Sequence, residues 1–353
     1  MLTKSKSLFN KSSKFPNKLL ISGEHSAVYG GWTLIAPIII NDSLSEVNLH
    51  VSTCNSGKEQ VVILIYKEKA VMKNDGSIIC NNSTKPLFDI ISTIFKNNKF
   101  SIKKSKKEFI FTIKLNGAPK GTGNSATLSA ALTSVLSEYF GNKLTTEKLF
   151  QLASIGENGY HGGKASGTDL HAVLAKSPQL FRKVFSKNKV SYQFASQALE
   201  KPKDTSLLIV DSYLSGQKTT TSNQIAIFAK SANITKNPDE LTESERKSIT
   251  SVFDKLVMEI TGDFYFFGNS KRLGKLFLEN QELLSKYQVS SPDIDKVIKI
   301  SIENGAYGAK LIGAGGVGGA VLVLCPADRT NQIQQSLTSW GFKTYPIDFM
   351  PNT

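Results

Sequence analysis

Apolar residues in the first third of the chain fall in short runs that predict strands: "NKLLIS" at 17–22, "TLIAPIII" at 33–40, "SEVNLHVST" at 45–53 and "EQVVILIYK" at 59–67. Their length and their Gly, Asn, Ser and Lys punctuation suit strands and turns. A further strand-like run, "EFIFTIKL", precedes a change of period. From Leu128 onward, Ala131, Leu132, Val135 and Leu136 recur at three- and four-residue spacing, which puts them on one face of a helix. A second helix is predicted after Thr145, a residue type that caps helix N-termini, with Leu149, Leu152, Ala153 and Gly156 along one side. The pattern turns polar around 183–205, and "SLLIVDSYL" then starts a second domain. Ser291 and Pro292 open another helix with Ile294, Val297 and Ile298 facing inward, and "GAVLVLC" reads as a buried strand. Strands mixed with helices predict an α+β layered architecture in two domains, 1–203 and 204–353.

Composition narrows the class. With 353 residues, 40% of them hydrophobic and 20% charged, the chain has the make-up of a globular protein large enough for two cores. Its longest apolar run, "WTLIAPIII", is far short of the ~20 residues that cross a bilayer. The basic, serine-rich start "MLTKSKSLFNKSSKFPNK" has no apolar signal-peptide core, so a cytoplasmic protein is expected. Cys54, Cys80 and Cys325 are far apart and odd in number, which fits a reducing compartment without a disulfide frame. Four histidines without an H-x-x-x-H pair argue against a catalytic zinc.

A formal charge of +14 raises the question of nucleic acid. The lysines are scattered, however, and arginine, the side chain that forks onto base edges, occurs only at Arg182, Arg246, Arg272 and Arg329. The surplus points to an anionic small-molecule substrate, with neither nucleic acid nor membrane as partner; a homodimer is compatible with the composition.

Glycine is near average abundance, so its clustering carries the information. "GAPKGTGNSATL" at 117–128 lies between the strand-like run and the helix, where glycine-spaced backbone N–H groups at a helix start suit phosphate. It is neither G-x-x-x-x-G-K-[ST] nor G-x-G-x-x-G, so by itself it is equally a plain turn. "LLISGEHSAVYGG" leaves a strand, and "GAYGAKLIGAGGVGGAVLVL" runs into one. "GENGYHGGKASGTDLHAV" at 156–173 gathers Glu157, His161, Lys164 and Asp169.

Together these four segments resemble the GHMP kinase superfamily, and within it the mevalonate kinases. "NKLLISGEHSAVYG" is similar to the family's G-K-x-x-L-x-G-E-H-x-V-V-x-G, with Asn17 in place of the usual glycine. "HGGKASGTD" resembles H-G-x-x-S-G-x-D with one extra residue, and "GAKLIGAGGVGGAV" resembles G-A-K-L-T-G-A-G-G-G-G. "LFLENQELLSKYQVSSPDIDKVI" is like the mevalonate kinases' N-x-x-L-L-x-x-x-G-V-S-x-x-x-L-D. "PKGTGNSA" is two residues shorter than P-x-G-x-G-L-G-S-S-A; aligned from the helix side, it puts Ser125 on the second serine.

The resemblance implies a two-domain GHMP kinase fold, with an N-terminal domain like ribosomal protein S5 domain 2 and a ferredoxin-like C-terminal domain. It implies ATP-dependent phosphorylation of the primary hydroxyl of mevalonate, with Mg2+. Lys120, Gly121, Thr122, Gly123, Asn124 and Ser125 would cradle the triphosphate, and Ser125 and Glu157 would hold the metal. Asp169 would be the general base, with Lys18 favouring the developing alkoxide. Glu24, His25, Lys218, Thr220 and Gly315 would line the substrate, Lys218 standing where the family has arginine. A related substrate such as phosphomevalonate, or a GHMP-fold ligand sensor without phosphate transfer, are the alternative readings.

Overall fold

The computed structural model describes residues 7–53, 61–65, 68–72, 78, 80–100, 105, 107–162, 165–186, 189–197, 199–264 and 268–350. The chain opens with β1 (Ser7–Phe15), β2 (Asn17–Ser22), β3 (Thr33–Ile40), β4 (Ser45–Thr53), β5 (Val61–Ile65) and β6 (Glu68–Met72). Then come α1 (Lys85–Asn97), β7 (Lys107–Lys114), α2 (Asn124–Tyr139), α3 (Thr146–Tyr160), α4 (Thr168–Leu174), β8 (Gln179–Ser186), β9 (Lys189–Ser196) and β10 (Thr205–Asp211). The remainder is α5 (Thr221–Ser231), α6 (Glu243–Gly262), α7 (Ser270–Lys286), α8 (Pro292–Glu303), β11 (Gly308–Ile312), β12 (Ala320–Pro326), α9 (Thr330–Ser339) and β13 (Lys343–Phe349).

These elements form two compact units that interleave along the chain. The first takes Met1–Pro16, Leu44–Asn116 and Gly123–Leu174; the second takes Asn17–Ser43, Gly117–Thr122 and Ala175–Thr353. In the first unit a five-stranded sheet has the order β1-β4-β7-β5-β6 and is antiparallel except where β5 lies parallel to β7. Val47, Leu49 and Val51 of β4, Val61 and Ile63 of β5 and Phe109 of β7 alternate onto one face. That face packs against Leu87, Phe88, Ile91 and Ile94 of α1 and Leu128, Leu132 and Val135 of α2.

In the second unit the sheet runs β11-β12-β10-β13-β3-β8-β9, with β2 paired to β3, all antiparallel. Alternate residues of β10 enter different cores. Leu207 and Ile209 pack with Val257 and Ile260 of α6 and Phe277 of α7, whereas Leu208 and Val210 pack with Ile294 and Val297 of α8 and Leu337 of α9. Burial on both faces explains why this strand and β12 read as unbroken apolar runs.

Three stretches differ from the sequence pattern: the basic start, which suggests a frayed end, forms β1 over Ser7–Phe15 and pairs with β4. The first third contains a helix, α1, because Leu87, Phe88, Ile91, Ile94 and Phe95 have helical spacing and Pro86 sits in its first turn, where a missing N–H costs nothing. The polar stretch after 183 is largely a hairpin, β8–β9. β9 is an edge strand whose Val190 and Phe194 are both exposed, so burial leaves no apolar signature on it. Elsewhere Thr145 caps α3 by accepting the Lys148 N–H at 3.2 Å, and Ser291 caps α8 by accepting the Ile294 N–H at 3.4 Å.

Candidate active site

The first unit assembles a cluster of ionisable groups at the end of α3 and the start of α4. Small residues make this possible. Ala126 and Ala130 of α2, Ala153 of α3 and Leu170 and Val173 of α4 form a compact core, and a side chain on Gly156 would meet the Ser129 hydroxyl at 2.5 Å. Glu157, next in sequence, is buried at 4% exposure, and its Oε1 has no hydrogen-bond partner. Its Oε2 lies 3.5 Å from Nε2 of His161, one helical turn on. Asp169 sits in the first turn of α4, and the ligand atoms of Glu157, His161 and Asp169 all lie within 4.8 Å of one another. The chain therefore brings together two of the carboxylates picked out in the sequence. Lys164 lies outside the described residues. His171 stacks edge-on against Phe150, its Nδ1 is 3.1 Å from the Gly167 carbonyl, and burial pushes its pKa down to about 4.

α2 starts on Gly123, which has φ 74° and carries no side chain to cap the helix. Only glycine takes that left-handed position without strain, and it leaves the helix N-terminus without a side-chain oxygen of its own cap. Asn124 and Ser125 are the first two helical residues, so Ser125 is not the cap.

The preceding residues, Gly117–Thr122, belong to the second unit, where they meet the first glycine motif. The Lys18 N–H donates to the Thr122 carbonyl at 2.9 Å, and the Asn17 side-chain amide donates to the same oxygen at 3.2 Å. Asn17, which stands where the family pattern has glycine, thus ties β2 to the loop. The Thr122 hydroxyl donates back to the Pro119 carbonyl at 2.7 Å, and Gly121 lies against Gly313, whose added Cβ would sit 3.7 Å from its Cα. Lys18 itself is buried, at 3% exposure.

Glu24 and Lys310 form an ion pair in which both side chains are fully buried. The Lys310 ammonium also donates to the Leu311 carbonyl at 2.7 Å. Burial raises the Glu24 pKa against the pull of Lys310, and burial lowers that of Lys310 against the pull of Glu24. The second oxygen of Glu24 has no partner. Lys310 was not picked out in the sequence, although a lysine inside the apolar run of β11 was the available signal, because lysine is almost never fully buried unless paired.

His25, at the head of the 3₁₀ turn Ser26–Tyr29, stacks on Phe228 with centroids 4.9 Å apart and 12° between planes. Its Nε2 is 3.1 Å from the Ala314 carbonyl; burial pushes its pKa down to about 4, so at neutral pH the imidazole is uncharged and Nε2 carries the donated hydrogen. The unfolded chain protonates His25 near the ordinary value of about 6.5 while the folded chain does not, so stability is lost as pH falls through this window. His25→Gln is expected to remove about 1.5 kcal/mol of the loss between pH 6.5 and 5, measured by urea unfolding at both pH values.

Next to Ala314, Gly315 has φ 73°, and a Cβ there would lie 2.2 Å from the Val289 carbonyl. The glycine is required by both backbone and space. Lys120 donates to the Thr219 carbonyl, and burial followed by the charge of Lys218 lowers its pKa. Lys218 in turn lies 4.1 Å over the Tyr213 ring. Thr220 caps α5, its hydroxyl accepting the Asn223 N–H at 3.1 Å.

A GHMP kinases N-terminal domain matches residues 98–176, and a GHMP kinases C-terminal domain matches residues 265–343. The chain thus carries matches to both GHMP kinase domains and has a two-domain α+β fold like that of its solved neighbours, and these likenesses support a kinase of the sugar and hydroxy-acid class with ATP as phosphate donor. Among its relatives is the mevalonate kinase of Methanocaldococcus jannaschii, 26% identical over 345 residues that cover 95% of this chain and 98% of that one. The mevalonate kinase of Schizosaccharomyces pombe is 24% identical over 91% of this chain and 84% of its own. The crystal structure of the Methanococcus jannaschii mevalonate kinase superposes with a TM-score of 0.73 at 21% identity, covering 98% of this chain and 99% of that one. Folds of other specificity are also near: a Streptococcus pneumoniae phosphomevalonate kinase, solved with phosphomevalonate and AMPPNP, superposes at 0.68 with 14% identity over 94% of this chain and 98% of its own. No helix among the described residues is long and apolar enough to cross a membrane.

Proposed function

We propose that this chain phosphorylates the primary hydroxyl of mevalonate with ATP, in the cytoplasm. The observation that carries the chemistry is the convergence of the Glu157 and Asp169 carboxylates at the junction of α3 and α4. The whole-length likeness to mevalonate kinases supports the substrate.

In this reading Asp169 accepts the proton of the attacking hydroxyl, and Lys18 favours the alkoxide that forms, because a carboxylate alone is a weak base. Lys120 through Ser125 hold the triphosphate on backbone N–H groups and one ammonium. The orphaned, buried Oε1 of Glu157 fits a cation, and Glu157 with Ser125 would hold Mg2+. When bound, that ion neutralises charge on the phosphates. His25, uncharged and anchored to the Ala314 carbonyl, would wall the substrate pocket with Gly315, while Lys218 would meet its carboxylate as a point charge. Thr220 completes the proposed substrate side, and Glu24, fully buried against Lys310, would act on it by holding the turn that carries His25.

One observation favours a more anionic substrate: the charge of Lys218 is felt at Lys120, so two ammonium groups converge there. A panel of mevalonate, phosphomevalonate and galactose with ATP, followed by ADP release, separates these readings. Mevalonate is expected to give the highest kcat/KM; a higher value for phosphomevalonate would transfer the assignment to that acid.

A further inference from the structure

We infer that Gln224 selects the acceptor: its side-chain amide hydrogen-bonds the tertiary hydroxyl of mevalonate, a group to which no other residue is assigned. Gln224 is buried at 3% exposure, and its Oε1 has no hydrogen-bond partner among the described residues. A buried amide oxygen left without a donor is costly, so its retention points to a donor that arrives with a ligand.

The fold fixes where this amide lies. Gln224 and Phe228 are the two buried residues of α5, four apart and therefore on one face of the helix. Phe228 stacks on His25 with ring centroids 4.9 Å apart. One turn nearer the helix start, Gln224 meets the glycine turn that follows Ala314: a Cβ on Gly316, which has φ 71°, would lie 2.3 Å from Nε2 of Gln224 and 2.3 Å from the Thr219 hydroxyl oxygen. Two residues on, a Cβ on Gly318 would lie 2.9 Å from Cγ of Lys218. The glycines thus pack Gln224 and Lys218 along one turn, with the His25 ring on the same face of α5. The neighbouring Thr219 hydroxyl donates to the Val317 carbonyl at 3.1 Å and so does not serve Oε1.

The surroundings select the ligand group. An acceptor oxygen repels a carboxylate or a phosphate, and the Lys218 and Lys120 ammonium groups, each within reach of the other's charge, disfavour a cation. What remains is an uncharged donor. Mevalonate has three polar groups; in the proposed function Lys218 meets the carboxylate and Asp169 the primary hydroxyl, which leaves the tertiary hydroxyl. A hydroxyl suits this amide in either orientation, since it can donate to Oε1 or accept from Nε2. Filling space beside Gly316 would be served equally by methionine, which has similar length and no oxygen to strand.

This assignment rests on the proposed phosphorylation of mevalonate, so the test pairs the protein with a substrate lacking one group. Wild type and Gln224→Met are assayed with ATP, Mg2+ and either mevalonate or 5-hydroxy-3-methylpentanoate, the analogue without the tertiary hydroxyl, and a melting curve is recorded for each protein. Wild type is expected to lose about tenfold or more in kcat/KM on the analogue, chiefly through KM. Gln224→Met is expected to lose a similar factor on mevalonate and to treat the two substrates within about twofold of each other. Its thermal midpoint is expected to hold or rise, because the stranded oxygen is gone. Gln224→Leu replaces Gln224→Met should the latter not fold. Equal kcat/KM of wild type for both substrates, or a wild-type preference that survives in the variant, would overturn the inference and leave the amide to a water or to packing. Either result with mevalonate still phosphorylated leaves the kinase reading standing, whereas no turnover of mevalonate by folded wild type would overturn both.

Discussion

Asp169→Asn is expected to lower kcat by at least about 10²–10⁴-fold, the usual range for a general base, with the thermal midpoint little changed. Asparagine keeps the size and hydrogen-bonding shape of aspartate, and a side chain in the first turn of a seven-residue helix contributes little to the core. What is lost is the capacity to accept a proton. The neighbouring Glu157 cannot substitute, because its carboxylate would be held by Mg2+. Measurement of kcat by coupled ADP release, beside a melting curve, separates chemistry from folding. A variant retaining more than a tenth of wild-type kcat would remove Asp169 from the role of base. Lys18→Met is expected to act in the same direction, by loss of stabilisation that exists only as the alkoxide forms.

The second large effect concerns stability. Lys310→Met is expected to destabilise the fold by about 3–5 kcal/mol in urea unfolding at pH 7, the range for breaking a buried ion pair from one side. The two charges share a site with no exposure, so removing the ammonium leaves a buried carboxylate without its bonded partner and with only the weaker pull of the Lys18 charge. Its only relief is to take up a proton. In the variant the folded-state pKa of Glu24 is then raised above its unfolded value near 4.3, so the folded protein binds more protons and stability falls as pH rises above that value. The double variant Lys310→Met with Glu24→Gln removes both charges and is expected to recover much of the loss. If the double variant is less stable than Lys310→Met, the ion pair is not the source of the effect.

The pair also locates this energy. It joins the turn that carries His25 to the strand leading into the glycine loop, and the His25 to Ala314 contact joins the same two elements a few residues further on. Two interactions of different kind therefore fix one register. Neither could be read from glycine spacing, which marks where backbone must come close and not which side chains hold it there.

Much of the rest was legible because a single physical cause dominated locally. β2, β3 and β4 appear where apolar runs stop at turn residues, since burial sets both. α2, α3 and α8 follow from apolar spacing, and Thr145 and Ser291 cap the last two. α1 was obscured by lying among strands, although its own period is helical. β9 was illegible because an exposed edge strand has no core face to pattern it. In the candidate site, the short segment from 156 to 173 already placed Glu157, His161 and Asp169 near each other in sequence, and one helical turn plus a short connection brings their ligand atoms together. Lys310 was lost because it is separated from Glu24 by 286 residues and only the fold brings them into contact. Asn17 was visible as a departure from a family pattern, but its bond to Thr122 required the loop to be folded against β2.

The most direct measurement is ADP release by the wild-type chain supplied with ATP, Mg2+ and mevalonate, with formation of 5-phosphomevalonate followed in the same reaction. Stoichiometric ADP and 5-phosphomevalonate, saturable in mevalonate and abolished in Asp169→Asn, are the predicted result. No mevalonate-dependent ADP release from folded protein that binds ATP would contradict the proposed function.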